Sequence, residues 1–240
     1  MFHPQGPSFY ELMRQALAST ERGYDLIAPK FDHTPFRTPE PVVAALATVI
    51  GPPRSIGAAL DVCCGTGAAL RHLRPLCRDR VTGVDFSRGM LDEAGRNLVD
   101  APGDAPIDLV RGDALALPFA AEFDVVTCVG ALGHVQPGDE DRFVAGVARA
   151  LRPGGRFVFA TTRAPAPTEP WFWMAHGFNA VMRVRNALLR PPFIMYYLTF
   201  LWPAIAPVLE RHGFAVEARE GVCPPPYQRG VIVSARKHQG

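Results

Sequence analysis

The chain has 240 residues, 48% of them hydrophobic and 20% charged, with a formal net charge of +2. That length suits a single domain, residues 1–240, with a sizeable core, and the hydrophobic content excludes a disordered chain. No short repeat suggests a solenoid, and the near-neutral charge gives no reason to expect a nucleic-acid partner. All the basic residues except Lys30 and Lys237 are Arg; with 24 Pro this reads as coding bias rather than function.

Residues 1–55 contain helical stretches broken by Pro and read as a lid or collar. Met1–Gln15 lacks a basic stretch followed by an apolar run, so no secretory signal is expected. The five cysteines are scattered, without CxxC spacing, which points to a reducing, cytoplasmic setting. From residue 59 to 160, short β-branched runs alternate with helical patterns. Ala59–Cys63, Arg80–Val84, Ile107–Arg111, Phe123–Val129 and Arg156–Ala160 are the expected strands. Thr66–Leu73, Gly89–Leu98 and Glu140–Leu151 carry apolar residues at helical spacing. This alternation predicts an α/β fold: a doubly wound, Rossmann-like, mostly parallel sheet with helices on both faces. Such sheets bind ligands at the carboxyl ends of their strands.

The segment Leu60-Asp61-Val62-Cys63-Cys64-Gly65-Thr66-Gly67 places a glycine turn between a strand and a helix, where a ligand can approach bare backbone. A dinucleotide fingerprint needs a third Gly or Ala where Leu70 stands, and a phosphate loop needs a Lys that is missing. Asp85 ends the second strand, where a carboxylate can accept from both ribose hydroxyls. Asp113 ends the third, in Arg111-Gly112-Asp113-Ala114, where it can meet an adenine amino group. Each Asp taken alone also reads as a helix cap.

Residues 163–204 are too long for an ordinary connection and read as a helical, aromatic insertion after the fifth strand. Phe193–Trp202 is its uninterrupted apolar part, too short for a span and bounded by prolines, so a buried or interfacial helix is expected there. A last helix, Pro203–His212, and strands Ala215–Arg219 and Gly230–Ala235 return the chain to the sheet edge, giving seven strands in all.

With these motifs in order, the chain resembles the class I S-adenosylmethionine-dependent methyltransferases over residues 24–162. The glycine motif, Val84-Asp85, Gly112-Asp113-Ala114, Phe123-Asp124-Val125-Val126 and Leu151-Arg152-Pro153-Gly154-Gly155 carry the resemblance. Gly83–Leu91 and Leu115–Phe119 look most like the small-molecule branch containing the ubiquinone and menaquinone C-methyltransferases. The resemblance implies S-adenosyl-L-methionine as cofactor, S-adenosyl-L-homocysteine as product and no metal. It puts Gly65, Thr66 and Gly67 at the methionine part, with Asp61 facing the amino group. It puts Asp85 on the ribose, Phe86 on the adenine, and Asp113 and Ala114 at its edge, with Met90 also among the cofactor-binding residues. Cys128 and Val129 would line the sulfonium side. Cys63 and Cys64 alternate across a strand and read as packed thiols, not ligands.

Methyl transfer needs a nucleophile held in line with the methyl group, and some acceptors need a base. His134, just past the fourth strand, is the candidate base, and Tyr196 and Tyr197 are weaker ones. Tyr24 would cover the sulfonium with its ring, or simply pack at a helix start. Trp171, Trp173, His176, Phe178, Met182, Phe193, Tyr196, Tyr197 and Phe200, with His134, are the expected walls of an acceptor pocket. The expected acceptor is a hydrophobic, aromatic or polyketide-like small molecule, methylated on oxygen or carbon. Alternatives are a membrane-borne quinone or lipid acceptor reached at a membrane surface, a non-catalytic cofactor-binding scaffold, and, less favoured because of Leu70, a dinucleotide enzyme. The aromatic insertion also reads as a dimer face.

Overall fold

The computed structural model describes residues 3–239. Two short helices, α1 (Phe9–Leu17) and α2 (Thr20–Ile27), open the chain, followed by a 3₁₀ turn at Ala28–His33 and α3 (Glu40–Ile50). Ser8 and Glu11 cap α1 reciprocally, Ser8 Oγ accepting from the Glu11 N–H and Glu11 accepting from the Ser8 N–H. Then come β1 (Ile56–Val62), α4 (Ala68–Leu73), β2 (Cys77–Asp85), α5 (Arg88–Asn97), β3 (Ile107–Arg111) and β4 (Phe123–Cys128). The second half runs α6 (Glu140–Ala150), β5 (Leu151–Thr162), α7 (Pro170–Leu188), α8 (Ala206–Arg211), β6 (Phe214–Glu220) and β7 (Gly230–Lys237).

The seven strands form one sheet in the order β3-β2-β1-β4-β5-β7-β6. β7 alone runs antiparallel to its neighbours, so the doubly wound, mostly parallel sheet is as expected, with its terminal strands returning to one edge. Strand order reverses between β1 and β4, which makes their carboxyl ends the natural crevice. Asp61 lies in register with Gly83 of β2 and Thr127 of β4, so the acid is carried to that crevice by the ladder itself.

Both faces of the sheet are covered. Leu60, Val62, Val126, Phe157 and Phe159 pack on one side with Phe143, while Ala59, Val125 and Val158 pack on the other with Leu46, Ile50 and Leu70. Adjacent residues of β4 therefore serve opposite cores, as parallel strands buried on both faces require.

The insertion departs from expectation. Its first half is the 19-residue α7, but Phe193–Trp202 is irregular backbone rather than a buried or interfacial helix. Two asparagines explain this. Asn179 Nδ2 donates to the Tyr197 carbonyl (2.7 Å) and its Oδ1 accepts from the Tyr197 N–H (2.8 Å). Asn186 does the same for Phe193, at 3.0 and 2.9 Å. These side chains satisfy backbone groups that a helix would otherwise have paired internally. Leu198 and Phe200 adopt left-handed backbone (φ 62° and 54°), which a continuous helix excludes. α8 is also shorter than Pro203–His212, starting only after the turn that Pro203 opens. Among the described residues no helix is long and apolar enough to cross a membrane.

Candidate active site

The glycine turn leaves β1 through three left-handed residues, Cys63 (φ 57°), Gly65 (φ 53°) and Gly67 (φ 88°). The two glycines serve different ends. A Cβ on Gly65 would meet no atom within 4 Å, so its face is open; a Cβ on Gly67 would come within 2.9 Å of Cδ1 of Leu98, the residue that caps α5. Gly65 bares backbone to the crevice, and Gly67 lets α4 pack closely.

Asp85 holds this turn in place. One carboxylate oxygen accepts from the Gly65 N–H and the other from the Ser87 N–H, both at 2.9 Å. Burial raises its pKa, opposed by those two donors. Asp61 is buried beside it, with Thr127 Oγ1 donating to its Oδ1 at 2.6 Å. Burial, with a smaller contribution from the Asp85 charge, pushes its pKa up to about 7. Two buried carboxyls thus face one crevice and, among the described residues, neither is in an ion pair with a cation. Asp113 accepts from the Leu115 N–H at 2.9 Å, capping a 3₁₀ turn; the capping role and a place on the crevice wall coexist.

The N-terminal segment is laced over this platform by carboxylates. Asp25 accepts from Ser87 Oγ (2.6 Å) and the Gly89 N–H (2.9 Å), fixing α2 to the start of α5. Asp32 accepts from Thr66 Oγ1 (2.6 Å) and from Asn97 Nδ2 (2.9 Å), with Arg37 Nε 3.3 Å away. Residues 20–38 contribute to the cavity wall, whereas α3 packs on the sheet against β5 and β7.

Tyr24 and His134 meet above the crevice. The Tyr24 hydroxyl lies 2.9 Å from His134 Nε2, and His134 Nδ1 is hydrogen-bonded to the Ile194 carbonyl. A carbonyl only accepts, so Nδ1 carries the proton and Nε2 offers its lone pair to the tyrosine. Burial holds the His134 pKa below the usual histidine range and pushes that of Tyr24 above its own. Both are therefore neutral near pH 7. Phe193 stacks on Tyr24 with ring centroids 6.1 Å apart, and Phe31 meets it edge-on.

These groups surround a cavity of about 350 Å³, within the range of small-molecule sites. Its wall includes Tyr24, Asp61, Gly65, Thr66, Asp85, Phe86, Met90, Asp113, Ala114, Val129 and His134. Gly67 is not part of that wall. Cys128 is fully buried, its free thiol beside the free thiol of Cys63. Among the described residues no cluster of His, Cys, Asp or Glu is arranged to hold a metal ion.

The aromatic residues of the insertion lie elsewhere than the cavity wall, to which that segment sends only Ile194. Tyr197 packs between Trp171 and Phe178, at centroid distances of 5.0 and 4.8 Å. His176 packs on Phe172, Trp173 is 67% exposed, and Met182 is buried on the inner face of α7. Tyr196 accepts from Asn186 Nδ2, and Phe200 is sunk among Phe143, Phe157 and Phe159. Apolar lining comes instead from Phe31 and Phe36 of the N-terminal segment and from Leu115, Ala131 and Val135. Phe31 and Phe36 follow Tyr24 closely in sequence, a signal in plain view. The pinning roles of Asp25 and Asp32 had no local signature, since their partners lie 62 and 34 residues away.

The sequence and the fold match known proteins. Residues 59–155 match the family described as "Methyltransferase domain". The ubiquinone/menaquinone biosynthesis C-methyltransferase UbiE of Desulfotalea psychrophila is 43% identical over 113 residues, 46% of this chain and 43% of that protein. A phthiotriol/phenolphthiotriol dimycocerosates methyltransferase of Mycobacterium ulcerans is 40% identical over 115 residues, covering 47% and 40%. The chain spans less than half the length of these two relatives. Among solved structures, the DhpI–SAH complex superimposes with a TM-score of 0.66 at 23% identity, covering 97% of this chain and all of that one. An O-methyltransferase family protein from Burkholderia thailandensis gives 0.70 at 17% identity, covering 97% and 68%. The chain has the fold of these methyltransferase structures, and residues 59–155 are similar to that methyltransferase-domain family.

Proposed function

We propose that the protein transfers a methyl group from S-adenosylmethionine to an oxygen or carbon of a hydrophobic small molecule by in-line displacement. The observation that carries this reading is one crevice holding two buried carboxyls on one side, neither in an ion pair among the described residues, and a neutral Tyr–His pair on the other. The residues fit the cofactor. Asp61 would meet its ammonium group, Asp85 its ribose hydroxyls, and Phe86, Met90, Asp113 and Ala114 its adenine. Gly65 leaves open space where the chain of the ligand would pass. When bound, S-adenosylmethionine supplies an electrophilic methyl group and departs as S-adenosylhomocysteine.

The chain's own task is to position the acceptor and handle its proton. The Ile194 carbonyl fixes the His134 tautomer, so Nε2 is the basic atom. Because the Tyr24 hydroxyl already occupies Nε2, a proton leaving the acceptor enters at the Tyr24 oxygen while the tyrosine's own proton moves to His134. Burial that keeps His134 neutral also keeps it competent to receive one. A low-dielectric wall of Phe31, Phe36, Leu115 and Val135 suits an apolar acceptor.

A quinone or lipid-like acceptor is the second reading, favoured by the names of the relatives in Desulfotalea and Mycobacterium. The test is S-adenosylhomocysteine formation from S-adenosylmethionine with phenols, naphthoquinols and aromatic polyketides. Cofactor binding without turnover on any of these would leave a scaffold and reject the enzyme reading.

A further inference from the structure

Two helices of this protein are amphipathic in the wrong sense for water. On α7 the inward stripe is Ala175, Asn179 and Met182, whereas Trp173, Val181, Val184 and Leu188 face out, with Leu188 77% exposed. On α1 the buried residue is Gln15, and Phe9, Tyr10, Met13 and Leu17 are exposed. A surface helix ordinarily shows the opposite pattern. The two are joined: Arg185 near the end of α7 donates to the carbonyls of Ala16 and Ala18 at the end of α1, at 2.9 and 2.8 Å. Their apolar faces thus belong to one fixed unit.

The charge left without an ion pair on α7 and the segment after it has one sign. No Asp or Glu occurs from residue 170 to 209, a stretch holding Arg183, Arg185 and Arg190. Arg183 and Arg190 are exposed and, among the described residues, make no ion pair; Arg14 lies over the Tyr10 ring on the outer face of α1. Three acids close in sequence to the two helices are in ion pairs, Glu11 with Lys30, Glu21 with Arg111 and Glu169 with Arg229. A second copy docking on the same patch would set these arginines against themselves across a two-fold axis. An anionic bilayer would complement them, with Trp173 and the aliphatic residues entering the headgroup region and the arginines reaching phosphates.

We infer that the outer faces of α1 and α7 form a docking surface for anionic lipid membranes. The surface adjoins the site: Ile194, on the cavity wall, donates its N–H to Thr20 Oγ1 (2.7 Å), two residues past the α1 C-cap. Docking there would set the mouth of the cavity near the bilayer. The inference stands apart from catalysis, since membrane binding is read without turnover.

The test is flotation of the purified protein with vesicles of phosphatidylcholine alone and of phosphatidylcholine mixed with phosphatidylglycerol. Binding only to the mixed vesicles is expected, with a decline as salt rises. Arg183→Gln with Arg190→Gln should weaken partitioning about twenty-five-fold, at roughly fivefold per surface arginine. Val181→Glu with Val184→Glu should abolish it while S-adenosylhomocysteine binding, measured by calorimetry, stays unchanged and certifies the fold. No flotation of the wild-type protein would overturn the inference. So would wild-type binding by the Glu variant, or a wild-type dimer that the Glu variant renders monomeric without any vesicle binding.

Discussion

The crevice floor and the cap above it are built by different means. On the floor, the ladder of β1, β2 and β4 delivers Asp61 and Asp85 to fixed heights, and backbone N–H groups of Gly65 and Ser87 lock the second carboxylate. In the cap, irregular backbone from Leu189 to Ala204 has no ladder beyond a single bridge from Trp202 to Arg163 and relies on side chains of α7, chiefly Asn179 and Asn186, to satisfy it. The floor is rigid by construction and suited to a constant ligand. The cap can change its sequence without disturbing the floor, which suits a variable one.

The comparison breaks most sharply at Asp85. Asp85→Ala removes both acceptors that hold the glycine turn and the proposed ribose contact, so S-adenosylhomocysteine affinity should fall by about a hundredfold or more. Isothermal calorimetry measures this directly, and an affinity within a few-fold of wild type would refute the assignment. The Tyr24–His134 pair joins floor and cap, because Ile194 holds the histidine. Tyr24→Phe or His134→Ala should each lower kcat about a hundredfold for an acceptor that must lose a proton. The double variant should be little worse than either single one, since the two act as a unit. In the wild type, the rate should hold as pH falls until it passes below the ordinary histidine pKa, because burial depresses that of His134. Strict additivity would separate the two residues.

The cap yields a smaller effect of another kind. Asn179→Ala leaves the Tyr197 N–H and carbonyl without their partner, at a cost of about 1–3 kcal/mol. Stability to urea and acceptor turnover should fall, while S-adenosylhomocysteine affinity should stay within about twofold of wild type, a ratio set by well under 1 kcal/mol. Loss of cofactor affinity in this variant would show that the cap and floor are not separable.

The same division governs how much the sequence reveals. The glycine turn, Asp85 and Asp113 are legible because strand period, turn chemistry and helix start are local rules, and each falls within a few residues of its cause. The cap resists such reading. Its apolar run looks helical, yet its shape is dictated by Asn179 and Asn186 and by left-handed backbone at Leu198 and Phe200. Its aromatics look like cavity walls, but Phe200 completes the core and Trp173 faces outward. Tyr24 and His134 each drew notice alone; their pairing across 110 residues is a property of the fold.

Asp61 offers the subtlest separation, because it weighs floor stability against ligand binding. Its carboxyl titrates near 7 when folded, against an ordinary value of 3.8. The folded state therefore holds a proton that the unfolded chain has lost between those values. The resulting stabilisation is complete below about pH 4 and gone above about pH 7. Asp61→Asn abolishes that dependence. In the ligand-free protein the variant's stability relative to wild type should be greater at about pH 8 than at about pH 5, by on the order of 3 kcal/mol for the roughly two units titrated between them. Thermal melts at the two pH values read the contrast. Cofactor binding should move the other way: the wild-type carboxyl must ionise to meet an ammonium group, so affinity should weaken as pH drops below about 7, by roughly tenfold per unit. The Asn variant should bind more weakly at high pH and lose that slope. If the ligand-free melting temperature of Asp61→Asn relative to wild type instead fails to rise between those two pH values, the carboxylate is satisfied within the fold and is not held for a cationic ligand.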